Sequence, residues 1–149
     1  MDSYFLSHLN DLVTLHPITP EVAIAIVLTI ALLILSGFAS GSEIAFFSLS
    51  PADLNELKPD KNPSDEGICR LRDDSERTLA TILITNNLVN VTIIMLCNFI
   101  FGSLVEFKAK WLDFLVITVF LTFLLLLFGE IMPKVYSRSA PLKFCRRAV

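Results

Sequence analysis

From Leu112 to Phe128 the chain is almost nothing but Leu, Val, Ile and Phe. A run of that length approaches the ~20 apolar residues an α-helix needs to cross a bilayer. Two further stretches meet the same requirement, Val22 to about Phe47 and Leu79 to Phe101. Trp111 stands at the start of the third, where an interfacial aromatic belongs. The expected fold class is therefore all-α integral membrane, with three transmembrane helices joined by short juxtamembrane helices. Composition agrees: 54% of the 149 residues are hydrophobic and 18% are charged, whereas soluble domains hold roughly 45–50% and about 25%.

The basic residues set an orientation. None precedes Val22, five lie between Ser48 and Thr78, two lie between spans two and three, and five follow Phe128. The positive-inside rule then puts residues 1–21 outside as an extracytoplasmic segment, and the long loop and the C-terminus in the cytoplasm. The first 20 residues lack a basic n-region, so no cleavable signal peptide is expected. Net charge is -3, which gives no footprint for nucleic acid. Cys69, Cys97 and Cys145 stand far apart and form no CxxC pair, so neither a zinc site nor a disulfide framework is expected.

The long loop carries its own signals. Ser50-Pro51-Ala52-Asp53 combines an N-cap, a first-position proline and an acid in the first turn, predicting a short helix through Leu57. Lys58 to Pro63 reads as a turn. Ile68 to Leu71 opens a second, amphipathic helix at the membrane surface.

Polar groups inside spans are costly and mark candidate sites. Span one holds Ser36, Ser40, Ser42 and Glu43; span two holds Asn86, Asn87 and Asn90; span three ends in Gly129-Glu130-Ile131-Met132-Pro133-Lys134. Ser36, Ser40 and Glu43 share one helix face, as do Asn86 and Asn90. At 1.5 Å per residue, Ser36 lies roughly 21 Å from Val22, Asn86 and Asn90 roughly 10 and 16 Å from the start of span two, and Glu130 roughly 28 Å from Trp111. All three sets fall in the inner half of a core about 30 Å thick. Pro133 withholds a backbone donor, so a bend or break is expected there, freeing a carbonyl beside Glu130. Hydroxyl, amide and carboxylate oxygens suit hard cations such as Mg²⁺, Na⁺ and Ca²⁺. Both histidines, His8 and His16, precede the first span; no Ser-His pair and no HExxH motif can form in the membrane, and an enzyme is not expected.

Plainer readings compete. Gly37 and Gly41 form GxxxG, which lets helices pack closely or two copies associate, and the asparagines can act as interhelical hydrogen-bond glue. Glu43 and Glu130 can sit at headgroup level, and Glu130 can pair with Lys134 one turn on.

The segments SGFASGSEIAFFSLSPADLNEL, LATILITNNLVN and FGEIMPKVYSRSAP, in this order, resemble the membrane domain of the CorC / cyclin M family of magnesium transporters, from about residue 22 to 149. The resemblance implies three transmembrane helices with juxtamembrane helices, a homodimer in a bacterial inner membrane, and Mg²⁺ export driven by Na⁺ entry. The metal site it implies uses Ser36, Ser40, Ser42, Glu43, Asn86, Asn87, Asn90 and Glu130. Thr85 departs from the family, where many relatives carry Gly before the asparagine pair. Family members continue into cytoplasmic CBS modules that bind adenine nucleotide; with the chain ending at Val149, no nucleotide site is expected here. The alternative function is a non-transporting membrane scaffold in a larger assembly, such as gliding-motility or secretion machinery.

Overall fold

A computed structural model describes residues 12–149 together with Tyr4, Ser7 and His8. The expected extracytoplasmic segment, 1–21, thus lies partly outside the described residues.

Three long helices form the body. The first, α1 (Pro20–Phe47), opens on Thr19, whose side-chain oxygen accepts from Val22 N, with Pro20 in the first turn where no donor is missed. The short α2 (Pro51–Glu56) and α3 (Pro63–Asp73) follow, then the second span, α4 (Ser75–Leu104). The third span begins as α5 (Lys110–Leu124), widens into a π segment (Leu125–Ile131) and continues as α6 (Met132–Ser139). A last amphipathic helix, α7 (Pro141–Ala148), closes the chain.

The spans are longer than their apolar stretches suggested: Pro20–Phe47, Ser75–Leu104 and Lys110–Ser139. Helix continues past the hydrocarbon because caps and polar turns, not loss of hydropathy, end it. Asp74 caps α4 by accepting from Arg77 N, so span two starts before Leu79. Span three does not break at Pro133. The helix absorbs the missing donor by widening its turn, and Met132 N bonds to the Leu127 carbonyl five residues back.

Only 33%, 17% and 11% of the three most hydrophobic windows is buried within the chain. Ile24, Val27, Ile34, Leu88 and Phe123 all face outward. Such a surface is unstable in water and natural in lipid, where a helix also satisfies every backbone polar group internally. Between the spans, Val89, Ile93, Cys97 and Leu121 pack with Leu32, Leu33 and Ile117.

At one end of the bundle the short helices form a collar. Ala45 and Phe46 at the end of α1 pack with Ile68 of α3 and with Leu142 and Cys145 of α7. The Ser50–Asp53 capping box starts α2, each side chain satisfying the other's backbone N–H. Asp65, buried on α3, accepts from Arg146 Nε at 2.7 Å and Nη2 at 3.1 Å and from Lys58 N at 3.0 Å. The Arg146 guanidinium beside Asp65 is the main reason its carboxyl is held below the usual value, with the Lys58 N–H adding to it. Burial pushes the Cys145 thiol up to about 12.

At the other end, Val13–Leu15 (β1) pairs antiparallel with Val105–Phe107 (β2), in register Thr14 to Glu106. Sequence reading foresaw no strand here. The signal was a three-residue alternation, V-T-L and V-E-F, too short to stand out beside the spans.

Candidate functional site: an oxygen cluster between the spans

Small residues set the geometry. A methyl group added at Gly37 would lie 2.9 Å from Pro133 Cγ and 3.2 Å from the Phe128 carbonyl oxygen; one at Gly41 would lie 2.6 Å from the Phe144 ring. The GxxxG face of α1 is thus filled within the chain, by the π segment, α6 and α7. Of the two readings of GxxxG, close packing of helices within the chain is the one this geometry bears out. Gly129 completes the approach from the other side, with Ser36 Oγ 3.2 Å from the place its Cβ would take.

Through that close approach Ser36, fully buried, meets two asparagines. Its Oγ lies 3.0 Å from Asn86 Oδ1 and 2.7 Å from Asn90 Oδ1. A hydroxyl has one proton, so it can donate to only one of the two carbonyl oxygens at a time. One turn further, Ser40 Oγ is fully buried and has no hydrogen-bond partner. Pro133 also cannot donate to the carbonyl of Gly129 in α register or of Phe128 in π register. The centre is therefore rich in oxygen atoms, some of them without a hydrogen-bond partner.

The expected site residues divide. Ser36, Asn86 and Asn90 come together, with Ser40 beside them on the same face. Ser42 is buried, but its hydroxyl is spent on the Phe38 carbonyl at 2.7 Å. Asn87 is exposed, turned out of the cluster by the rotation of about 100° that separates it from Asn86 on α4. Glu43 and Glu130 are half-buried. Glu130 follows Gly129 directly in the π segment and forms no ion pair with Lys134. Among the described residues no three His, Cys, Asp or Glu side chains gather at a metal-binding distance. A cation here would be held by hydroxyl, amide and backbone oxygens with at most a nearby carboxylate.

Sequence reading foresaw a carbonyl freed by Pro133 beside Glu130, but not that Gly129 would admit Ser36 or that the Phe128 carbonyl would lie against Gly37.

Comparison with known proteins agrees with this architecture. Residues 27–149 match the family described as the cyclin M transmembrane N-terminal domain, CNNM. UPF0053 protein sll1254 of Synechocystis sp. is 31% identical over 101 residues, covering 66% of this chain and 28% of that protein. The chain thus spans under a third of the length of that relative. With its three membrane-spanning helices, the chain belongs to the cyclin M transmembrane domain family.

Proposed function

We propose that this is the membrane domain of a divalent-cation transporter that carries Mg²⁺ through the oxygen cluster of Ser36, Ser40, Asn86 and Asn90, with Na⁺ as the coupling ion. The observation that carries this reading is the convergence of buried oxygens in the cluster. Ser36 has one hydrogen for two amide oxygens, and Ser40 Oγ is buried with no hydrogen-bond partner. A buried acceptor without a donor is costly, and a hard cation among oxygens removes that cost. Mg²⁺ normally keeps several waters in near-octahedral geometry, so neutral side-chain oxygens replace only part of its shell. Glu130, next to the Gly129 that abuts Ser36, is the candidate for balancing the ion's charge. In this reading the collar end is cytoplasmic, the strand pair is extracytoplasmic, and the chain works as a homodimer in a bacterial inner membrane.

A scaffold reading turns one asparagine amide over, so that its NH₂ donates to Ser36 and the trio becomes a closed hydrogen-bond chain. Melting curves of the detergent-purified chain against Mg²⁺ separate the two. A ligand of the native state raises stability by about 2.7 kcal/mol at a hundred times its Kd. The transporter reading expects a Mg²⁺-dependent rise in Tm that Asn90→Leu and Glu130→Gln abolish and Asn87→Leu leaves intact. A wild-type chain indifferent to Mg²⁺ overturns it.

A further inference from the structure

We propose that the groove between α1, α3 and α4 at the collar end is a binding site for one anionic phospholipid, taking an acyl chain along its wall and the headgroup phosphate at Arg70 and Arg77.

The groove encloses about 530 Å³. Its α1 wall runs from Leu35 to Phe46, with Ile82 and Thr85 facing it from α4. The rise of helix from Leu35 to Phe46 is roughly 16 Å, about the depth of one leaflet in a core of about 30 Å. The wall offers little to a polar ligand. Ser42 donates to the Phe38 carbonyl, Thr78 to the Leu71 carbonyl and Thr81 to the Arg77 carbonyl, at 2.7, 2.8 and 2.9 Å. Their protons are spent on backbone carbonyls, and apart from these three, Thr85 and the charged end, the lining side chains are apolar. A hydrocarbon chain matches this; a sugar or nucleotide does not.

Charge is confined to the collar end of the groove. Arg70 and Arg77 line it there and are exposed. Neither forms an ion pair among the described residues, whose salt bridges join His16 with Glu106 and Arg146 with Glu56 and Asp65. Asp74, the acid between them, already accepts from Arg77 N as the cap of α4. Two guanidinium groups at the mouth of an apolar slot one leaflet deep match an amphiphile with an anionic head. They also commit the groove to a lipid rather than to a second apolar protein face.

The test is native mass spectrometry of the detergent-purified chain. It is incubated with equal amounts of phosphatidylglycerol and phosphatidylcholine carrying the same acyl chains. Two arginines at an anionic headgroup favour it by about thirtyfold. Retention of phosphatidylglycerol over phosphatidylcholine by about that factor is expected. R70Q/R77Q should bring the two lipids to parity, and Thr81→Phe, which fills the slot, should lower retention of both. Equal retention of the two lipids by the wild-type chain overturns the proposal, as does a preference that survives R70Q/R77Q. Displacement of the bound lipid by soluble glycerol phosphate would make this a bare anion site and overturns it too. If Thr81→Phe instead dissociates a dimer and leaves lipid retention unchanged, the groove belongs to a second copy and the proposal fails.

Discussion

Gly37→Ala tests the close approach on which the oxygen cluster depends. The added methyl would stand 2.9 Å from Pro133 Cγ and 3.2 Å from the Phe128 carbonyl oxygen. Carbon atoms pack best at about 3.5–4.0 Å, so α1 and the π segment must separate by several tenths of an ångström. Neither neighbour yields easily, one being a proline ring and the other backbone. Overpacking of this kind costs about 1–3 kcal/mol. Alanine offsets about 1 kcal/mol through its better helix propensity. The net expectation is a loss of up to about 2 kcal/mol against wild type, a Tm lower by up to about 8 °C for a chain of this size, and a loss of about 1–3 kcal/mol against an alanine placed in a helix without the clash. Gly102→Ala is the internal control, because nothing lies within 4 Å of the methyl it would add. It keeps the propensity gain without the clash, and its Tm should equal or exceed that of wild type. The assay is thermal unfolding of both variants in detergent, followed by circular dichroism. A Gly37→Ala protein as stable as Gly102→Ala would refute the close approach, and with it the placing of Ser36 between α4 and the π segment.

Other expectations concern the collar. Ile68 is fully buried there, and Ile68→Ala should cost about 2–5 kcal/mol, seen as an early melting phase or faster hydrogen exchange in α3 and α7. The folded-state pKa of Asp65 is depressed. Its contribution is therefore complete above the ordinary Asp value near 4 and lost as pH falls through the lower folded value. Hydrogen exchange in α3 and α7 should accelerate over that acidic window, and Asp65→Asn should flatten the response. Cys69 is half-exposed whereas Cys97 and Cys145 are buried, so maleimide at pH 8 should label Cys69 alone until the protein is unfolded. Labelling of Cys145 in the native state would contradict the packing of α7 on α3.

The three spans were legible because hydropathy is a long-range average that one stretch of sequence carries by itself. The capping box at Ser50 and Asp53 was legible because a cap is local. The pairing of Ser36 with Asn86 and Asn90 followed from depth and helical face together. What sequence could not supply was azimuth between elements. Asn87 shares its depth with Asn86 but faces away from it, and Ser42 turns its hydroxyl back onto Phe38. Gly37 and Gly41 announced a close helix approach but not with which partner; the answer, α6 and α7 of the same chain, depends on where Pro133 and Phe144 arrive in space. The Asp65–Arg146 bond joins residues 81 positions apart, and neither side chain has a neighbour in sequence that points to the other.

The central claim is best tested by Mg²⁺ flux. The chain is reconstituted in liposomes loaded with a Mg²⁺-sensitive dye, with and without an opposing Na⁺ gradient. Wild type is expected to move Mg²⁺ faster when Na⁺ runs against it, and Asn90→Leu to reduce flux to the level of empty liposomes with its fold intact by circular dichroism. Flux that persists unchanged in Asn90→Leu would contradict a pathway through the Ser36–Asn86–Asn90 cluster, and a wild-type chain that moves no Mg²⁺ in either gradient would contradict transport itself.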